Sequence, residues 1–228
     1  MNWWAHEQYE SGGIVLLFSW AFWVIFSICL HELAHGWVAI ANGDRTPREL
    51  GHMTLNPVVH MGWMSLFFFA VVGIAWGQMP TRPDRYRRER LGRVLVAAAG
   101  PAMNLALAAV ACIAAGAWSW ASESGRLTPQ PHVQENVEVF LFVGGFLNVY
   151  LCAFNLLPAP PLDGSAILAG FSRTLDRFFS QPGVQMYGML VVLFLFYSAL
   201  RKPFGAFAVG LSAAMTAGTQ ALLERMAG

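Results

Sequence analysis

Charged side chains are scarce in this sequence. Asp, Glu, Lys and Arg together make up 12% of the 228 residues, about half the share found in a typical soluble domain. This scarcity, with 56% hydrophobic residues and several long uncharged runs, excludes an ordinary soluble protein and indicates an integral membrane protein. The net charge of +1 provides no basic surface field, so no nucleic-acid partner is expected.

Cysteine and N-terminal basic residues are also in short supply. The three cysteines lie in apolar runs and form no CxxC pair, so we interpret them as buried structural thiols. Residues 1–13 contain no Lys or Arg, and the apolar run that follows is long. A signal peptide is therefore not expected at this position. No internal repeat is evident.

The apolar run of residues 14–41 predicts a long helix that carries the motif His31-Glu32-Leu33-Ala34-His35. Helix positions i and i+4 share a face, so His31 and His35 can bind one metal ion while Glu32 lies beside them. This is the HExxH arrangement of zinc hydrolases, in which the glutamate accepts a proton from water. These are the only charged or imidazole groups in the run, and ionisable groups in an apolar span usually serve a site. Two histidines on a solvated helix face are the weaker interpretation.

A catalytic zinc needs a third protein ligand and an open position. The candidates are the polar side chains His52, His60, Asp44, Asp84 and Asp163. Asp163 is favoured because it follows a proline-broken segment, residues 155–164, that cannot continue a helix. Irregular backbone at membrane depth usually marks a site, and Gly164 permits an unusual backbone angle there. Alternatively, Asp163 caps the following helix, and either His52 or His60 approaches the metal.

The pattern of apolar runs predicts an all-α polytopic membrane protein, a bundle of about four to six transmembrane helices. We expect a single domain over residues 1–228, with a catalytic core at about 14–176 and C-terminal helices over 184–223. The further runs are residues 62–79, 94–120, 139–162, 184–200 and, more weakly, 203–223.

Six arginines in residues 81–93 place that loop in the cytoplasm by the positive-inside rule. The metal site then lies toward the cytoplasmic side of a multi-pass protein of the cell membrane. With residues 1–13 outside, the two histidines and Asp163 meet if residues 62–79 return to the side they left, and we expect a re-entrant segment or one along the bundle. If residues 62–79 cross instead, residues 1–13 are cytoplasmic and the ligands can meet only near mid-membrane. If residues 184–200 and 203–223 both cross, Arg201 and Lys202 lie outside, against the rule.

Four blocks resemble the site-2 protease family of intramembrane zinc metalloproteases, especially its short bacterial and archaeal members without a PDZ domain. The blocks are HELAHG at 31–36, LNPVVH at 55–60, AGPAMNLALA at 99–108 and NLLPAPPLDG at 155–164. The resemblance, over roughly residues 14–169, implies His31, His35 and Asp163 as ligands of one zinc ion. It also implies Glu32 as the catalytic base, and it places Asn155 and Pro158 beside the substrate.

The expected activity is hydrolysis of peptide bonds within or near transmembrane segments of membrane-protein substrates, inside the lipid bilayer. A substrate helix must unwind locally, and extended backbone near residues 52–55 or 159–162 is predicted to accept it as an added strand. Asn155 is a candidate donor to the oxyanion. The alternatives are a metal transporter or channel, and an inactive family member that only binds helices. The sequence does not predict the oligomeric state.

Overall fold

The computed structural model of the chain describes residues 3–227 and contains helices but no strand within that range. The α-helices of the described residues are α1 Trp4–Ala41, α2 Thr46–Glu49, α3 Pro57–Val72, α4 Glu89–Glu123, α5 Pro131–Asn155, α6 Asp163–Phe171, α7 Arg173–Phe179, α8 Pro182–Leu195 and α9 Arg201–Ala227. A 3-10 turn over Pro83–Arg85 precedes α4, and a π-helical turn over Phe196–Leu200 joins α8 to α9. The all-α prediction is confirmed.

Within residues 3–227, four helical segments are long and apolar enough to cross a membrane. They are Trp4–Ala41, Glu89–Glu123, Pro131–Asn155 and Ser198–Ala227. The first one bends at Gly13, whose φ of 68° lies in the left-handed region that favours glycine. The bend falls where the polar N-terminal residues give way to the apolar run, so the long straight part of α1 begins where the sequence predicts it.

Helix α4 lies at the centre of the bundle, in contact with α1, α5, α6 and α9. Its start meets the end of α1, since the Arg87 N–H donates to the Asn42 carbonyl at 2.7 Å. We call this the arginine end, because the arginine-rich loop of residues 81–93 lies there. Small residues let the helices approach closely: a Cβ on Gly145 of α5 would lie 2.7 Å from the Cys112 sulfur of α4.

Helix α3 does not cross the bundle. It has 16 residues, fewer than the roughly 20 a span needs, and the chain then turns back through residues 74–82, a stretch with neither helix nor strand that we call the extended segment. The Ser65 hydroxyl bonds both the N–H and the carbonyl of Trp76, at 2.8 and 2.7 Å, and the Gln78 N–H donates to the His60 carbonyl at 2.9 Å. The extended segment therefore runs antiparallel to α3 and returns toward the arginine end, which confirms the predicted re-entrant segment.

Helix α9 runs parallel to α4. Ala208 packs in one cluster with Ala108 of α4, and at the opposite end the Gln220 amide donates to the Glu123 carboxylate at 2.7 Å. The start of α9, with Arg201, therefore points toward the arginine end.

The expectation that residues 184–200 form a separate crossing is wrong. Helix α8 has 14 residues, and a Cβ on its Gly188 would lie 2.9 Å from the Pro160 carbonyl, so α8 sits beside the loop that follows α5. After α7 the chain crosses once, through α9. This helix contains residues 203–223, which the sequence predicts less strongly to be a crossing than residues 184–200. The sequence does not reveal the end of α8, because the apolar run continues through the π-helical turn. Arg201 and Lys202 consequently stay toward the arginine end, and the conflict with the positive-inside rule disappears.

Candidate metal centre

Helix α1 presents His31 and His35 on one buried face, with their Nε2 atoms 3.0 Å apart. Asp163, the first residue of α6, places Oδ2 3.1 Å from Nε2 of His31 and Oδ1 3.4 Å from Nε2 of His35. Ligand atoms of all three residues lie within 4.8 Å of one another. Two nitrogen ligands of a tetrahedral zinc ion are about 3.3 Å apart. The spacing therefore fits one shared ion.

The loop between α5 and α6 carries Asp163 to the two rings. It contains a cis peptide bond between Pro160 and Pro161, and Leu162 occupies the N-cap position of α6, so Asp163 is not the cap. Gly164 has no positive φ, which corrects the expectation of an unusual backbone angle. A Cβ at this position would instead collide with the Leu156 carbonyl group. Glycine is needed because two stretches of backbone touch.

In the neutral imidazoles, which are the form that binds a metal, the hydrogen bonds of the two rings leave the Nε2 atoms without hydrogens. Nδ1 of His35 lies 2.6 Å from the Val96 carbonyl oxygen, which can only accept, so Nδ1 donates and Nε2 keeps a lone pair. Nδ1 of His31 lies 2.7 Å from Oδ1 of Asn104. This oxygen also only accepts, so Nδ1 of His31 donates and its Nε2 keeps the lone pair. Two lone pairs and a carboxylate then face one another with no donor between them. Such a cluster needs a cation, so these residues fit a zinc ion.

Helix α4 packs directly against the imidazole rings of His31 and His35. A Cβ on Gly100 would collide with the imidazoles of both His31 and His35. Gly100 lies in the AGPAMNLALA block, which also supplies Asn104. This block therefore packs against the metal ligands and orients one of them.

Glu32 is buried beside the three candidate ligands without being one of them. A Cβ on Gly77 would lie 2.5 Å from its Oε1 atom, so the extended segment passes directly over the carboxylate. Glu32 and the ligands line a cavity of about 1000 Å³ together with residues 74–79. The position suits a base that takes a proton from water in this cavity.

Of the two predicted substrate residues, one lines the cavity and the other does not. Asn155 lies in the cavity wall, with its amide nitrogen donating to the Leu151 carbonyl at 3.0 Å. Pro158 is exposed and does not line the cavity, whereas Pro161 and Leu162 of the same loop do.

The structure forms no strand at residues 52–55 or 159–162, where the sequence predicts extended backbone, and none at residues 74–82. Residues 74–79 line the cavity throughout, together with Pro161 and Leu162. The residue pattern GIAWGQMP does not by itself predict that this segment lines the cavity. The conformation depends on contacts with α3.

The other proposed ligands lie outside the cluster. His60 is buried and donates through Nε2 to the Thr54 carbonyl at 2.6 Å, with the ring of His52 6.5 Å away. Asp44 is fully buried and accepts hydrogen bonds from Thr46 and from the Arg82 backbone, whereas Asp84 is an exposed partner of Arg82. Within residues 3–227, Asp163 is the acidic residue that joins the two histidines.

The sequence analysis assigned no role to Asn104, to Asn148 or to Gly77. The signal for the two asparagines was present, since each is an isolated polar residue in an uncharged run. A single polar side chain in a span predicts a buried partner, but the sequence does not identify that partner.

Comparisons with known proteins match the geometry. The sequence model of peptidase family M50 matches residues 19–126 and 124–199. YwhC of Bacillus subtilis strain 168, named as a zinc metalloprotease, is 33% identical over 181 residues, which cover 78% of this chain and 79% of that protein. Rip2 of Mycobacterium tuberculosis H37Rv, named likewise, is 30% identical over 184 residues, 76% of this chain and 64% of its own. Rip2 of Mycolicibacterium smegmatis is 28% identical over 203 residues, 86% and 72% of the two chains. No solved structure matches significantly.

Proposed function

The chain belongs to peptidase family M50 and is a zinc metalloprotease with several membrane-crossing helices, and we propose that it cleaves membrane proteins within or near their transmembrane segments. One observation carries the proposal. The cluster of His31, His35 and Asp163 lies among helices long and apolar enough to span a membrane, in a cavity shared with Glu32.

Each residue of the cluster has a separate task in the proposed reaction. His31, His35 and Asp163 hold the zinc ion, which supplies Lewis acidity to a water molecule and to the scissile carbonyl. Glu32 takes the proton of the attacking water and passes it to the leaving amine. Burial of Glu32 in the same cavity keeps the proton transfer away from bulk solvent.

The reaction itself argues for an unwound substrate. A transmembrane helix holds its backbone carbonyls in its own hydrogen bonds, and a carbonyl must leave such a bond before it can be attacked beside His31, His35 and Asp163. The proposed substrate is therefore a transmembrane helix that unwinds locally at the site.

The extended segment of residues 74–82 is suited to hold such a stretch. Both backbone groups of Trp76 and the N–H of Gln78 are bonded to α3 on one edge. Neighbouring residues in an extended chain point their N–H and C=O groups the opposite way. The backbone groups of Ala75 and Gly77 are then expected to point away from α3, both residues line the cavity, and no hydrogen bond within residues 3–227 uses those groups. We infer that an unwound substrate pairs with this edge as an added strand.

The distribution of cations supports a site on the cytoplasmic side. Of the 14 Lys and Arg residues, all but Arg126 and Arg225 lie in segments at or toward the arginine end. Because the zinc cluster is nearer that end, the positive-inside rule favours access of water from the cytoplasm.

Cleavage of a model single-span protein in reconstituted vesicles tests the proposal. We expect the wild type to cut the substrate inside its apolar segment. Glu32→Gln should bind zinc normally and lose activity by about 10²- to 10⁴-fold, the usual contribution of a general base. Glu49→Gln is the matched control, because Glu49 is an exposed partner of Arg85. Retained turnover in Glu32→Gln, or zinc flux without cleavage in the wild type, would overturn the proposal.

A further inference from the structure

Two asparagines are completely buried between the crossing helices. Asn104 of α4 and Asn148 of α5 have no exposed surface. The Asn104 amide nitrogen donates to Oδ1 of Asn148 at 3.0 Å, and the Asn148 amide nitrogen donates to the Gly144 carbonyl at 2.9 Å. Together with His31, whose Nδ1 meets Oδ1 of Asn104, they form one continuous chain of hydrogen bonds.

The Gly144 carbonyl fixes the direction of this chain. A backbone carbonyl can only accept, so the Asn148 atom that faces it must be the amide nitrogen, and Oδ1 must face Asn104. That oxygen in turn requires the Asn104 nitrogen, which leaves Oδ1 of Asn104 for His31. Nδ1 of His31 must then be the donor, and its Nε2 carries the lone pair that faces His35 and Asp163.

We propose that Asn104 and Asn148 are positioning residues that hold His31 in its metal-binding tautomer. The proposal rests on the zinc centre and does not depend on the nature of the substrate. If Asn148 is lost, the Asn104 amide can rotate and present its nitrogen to His31. Nδ1 of His31 then becomes the acceptor, its hydrogen moves to Nε2, and the lone pair no longer points at the zinc.

The tautomer of His35 does not depend on either asparagine. Its Nδ1 bonds directly to the Val96 carbonyl of α4, a backbone group that cannot rotate to offer a donor. The two histidines of the motif are thus oriented by different means. Only His31 depends on side chains of two other helices, and the effect of breaking the chain should appear at that ligand alone.

Zinc affinity measured by chelator competition on the purified full-length protein tests the proposal. Loss of an outer partner of a metal ligand typically weakens binding by about 10- to 100-fold. We expect losses in this range for Asn104→Leu and for Asn148→Leu. Ser27→Ala is the control, since Ser27 is equally buried on α1 and its hydroxyl has no hydrogen-bond partner in the described part of the chain.

A double variant separates positioning from general damage to the fold. In Asn104→Asp the carboxylate presents an oxygen to His31 in either orientation and has no hydrogen to donate to Asn148, so adding Asn148→Leu should cause no loss of zinc affinity. Equal losses from Asn148→Leu in both backgrounds would show a merely structural role and overturn the proposal. No loss in the single variant would also overturn it.

Asn148→Asp provides a second test if Asn148→Leu does not fold. The aspartate still accepts from the Asn104 amide, so His31 keeps its tautomer although the bond to Gly144 is lost. We expect zinc affinity within about threefold of the wild type, and a Co²⁺-substituted protein with an unchanged visible spectrum. A loss outside that range, or an altered spectrum, would contradict the proposed role.

Discussion

At the scale of single residues, glycines set the distances around the metal. Gly100 lets α4 lie against both imidazoles, and Gly77 lets the extended segment lie against the Glu32 carboxylate. Interiors are close-packed, so a single added methyl group is felt at such contacts. These two glycines therefore matter for chemistry, although neither touches the zinc.

Gly100→Ala should weaken zinc binding by at least about tenfold, or roughly 1.4 kcal/mol, because the new Cβ must displace one of the two rings. Gly218→Ala on α9 is the matched control, since a Cβ there meets no atom within 4 Å. Both changes replace glycine by alanine in a helix, so the backbone contribution of about 0.5–1 kcal/mol in favour of folding is the same in both, and only Gly100→Ala adds a collision. Chelator competition on both variants measures the difference, and equal zinc affinities would refute the close approach.

Asp44 makes the stability of the arginine end depend on pH. Burial alone would raise the pKa of Asp44, but hydrogen bonds from Thr46 and the Arg82 backbone, with the nearby Arg85 charge, hold it below the usual aspartate value. A carboxyl group with a lowered pKa stabilises the fold at pH values above its unfolded pKa. That contribution disappears as the pH falls through the folded pKa.

Asp44→Asn should therefore destabilise the protein at neutral pH by about 1–3 kcal/mol, since its new amide cannot accept both sets of hydrogen bonds. Thermal melts in detergent at decreasing pH measure the effect, and the gap to the wild type should close in acid. Asp84→Asn, which alters an exposed ion pair, should change stability by less than about 0.5 kcal/mol. A gap that does not change with pH would contradict the assignment.

The sequence identifies the chemical groups better than their supports. His31, Glu32 and His35 follow from helical spacing, and Asp163 follows from the proline-broken segment before it. Their supports, Asn104 and Asn148, lie on α4 and α5, far in sequence from His31 on α1, and contact between residues so far apart leaves no local pattern. The exposed position of Pro158 was missed for the same reason, because the loop conformation decides which prolines face the cavity.

At the scale of elements, the pairing of α3 with the extended segment shapes the site. The segment contains no regular hydrogen bonds of its own, and the Ser65 hydroxyl and the His60 carbonyl hold it in place. The chain turns back after α3, and these bonds hold the returning segment against α3. The segment therefore lies along the cavity wall.

Ser65→Ala should loosen the extended segment without affecting the metal. Both bonds to Trp76 are lost, so hydrogen exchange in residues 74–79 should become faster and cleavage should slow, with zinc affinity unchanged. Exchange measured by mass spectrometry, beside Ser124→Ala in the exposed loop after α4, tests this. Unchanged exchange in residues 74–79 would show that other contacts hold the segment.

Helix positions were predictable wherever apolar runs are bounded by charge or by glycine and proline. The long parts of α1, α4 and α5 follow from this pattern. The sequence failed over residues 184–200, where the apolar run continues through a π-helical turn and only tertiary contacts show that α8 stays at the arginine end. It also failed to locate the extended segment, because that conformation is imposed by Ser65 and His60.

At the scale of the whole molecule, charge is strongly polarised. The arginine end holds almost all the cations, and the opposite end holds Arg126 and Arg225. The single crossing after α7 brings Arg201 and Lys202 into this pattern. The cytoplasmic location of the arginine end remains a prediction of the positive-inside rule.

Labelling of single cysteines in intact cells tests this orientation. In a background without Cys29, Cys112 and Cys152, a membrane-impermeant maleimide should label Ser124→Cys directly. Arg87→Cys and Lys202→Cys should be labelled only after the membrane is opened. Labelling of Lys202→Cys in intact cells, with Arg87→Cys protected, would restore two crossings after α7 and contradict the structure.

The zinc content of Asp163→Asn shows whether α1 and the distant loop before α6 hold one ion between them. We expect one zinc ion per wild-type chain and the same for Asp84→Asn. Zinc affinity in Asp163→Asn should fall by more than the roughly 100-fold that loss of an outer-shell partner can cost. Stoichiometric zinc bound by Asp163→Asn as tightly as by the wild type would contradict the account.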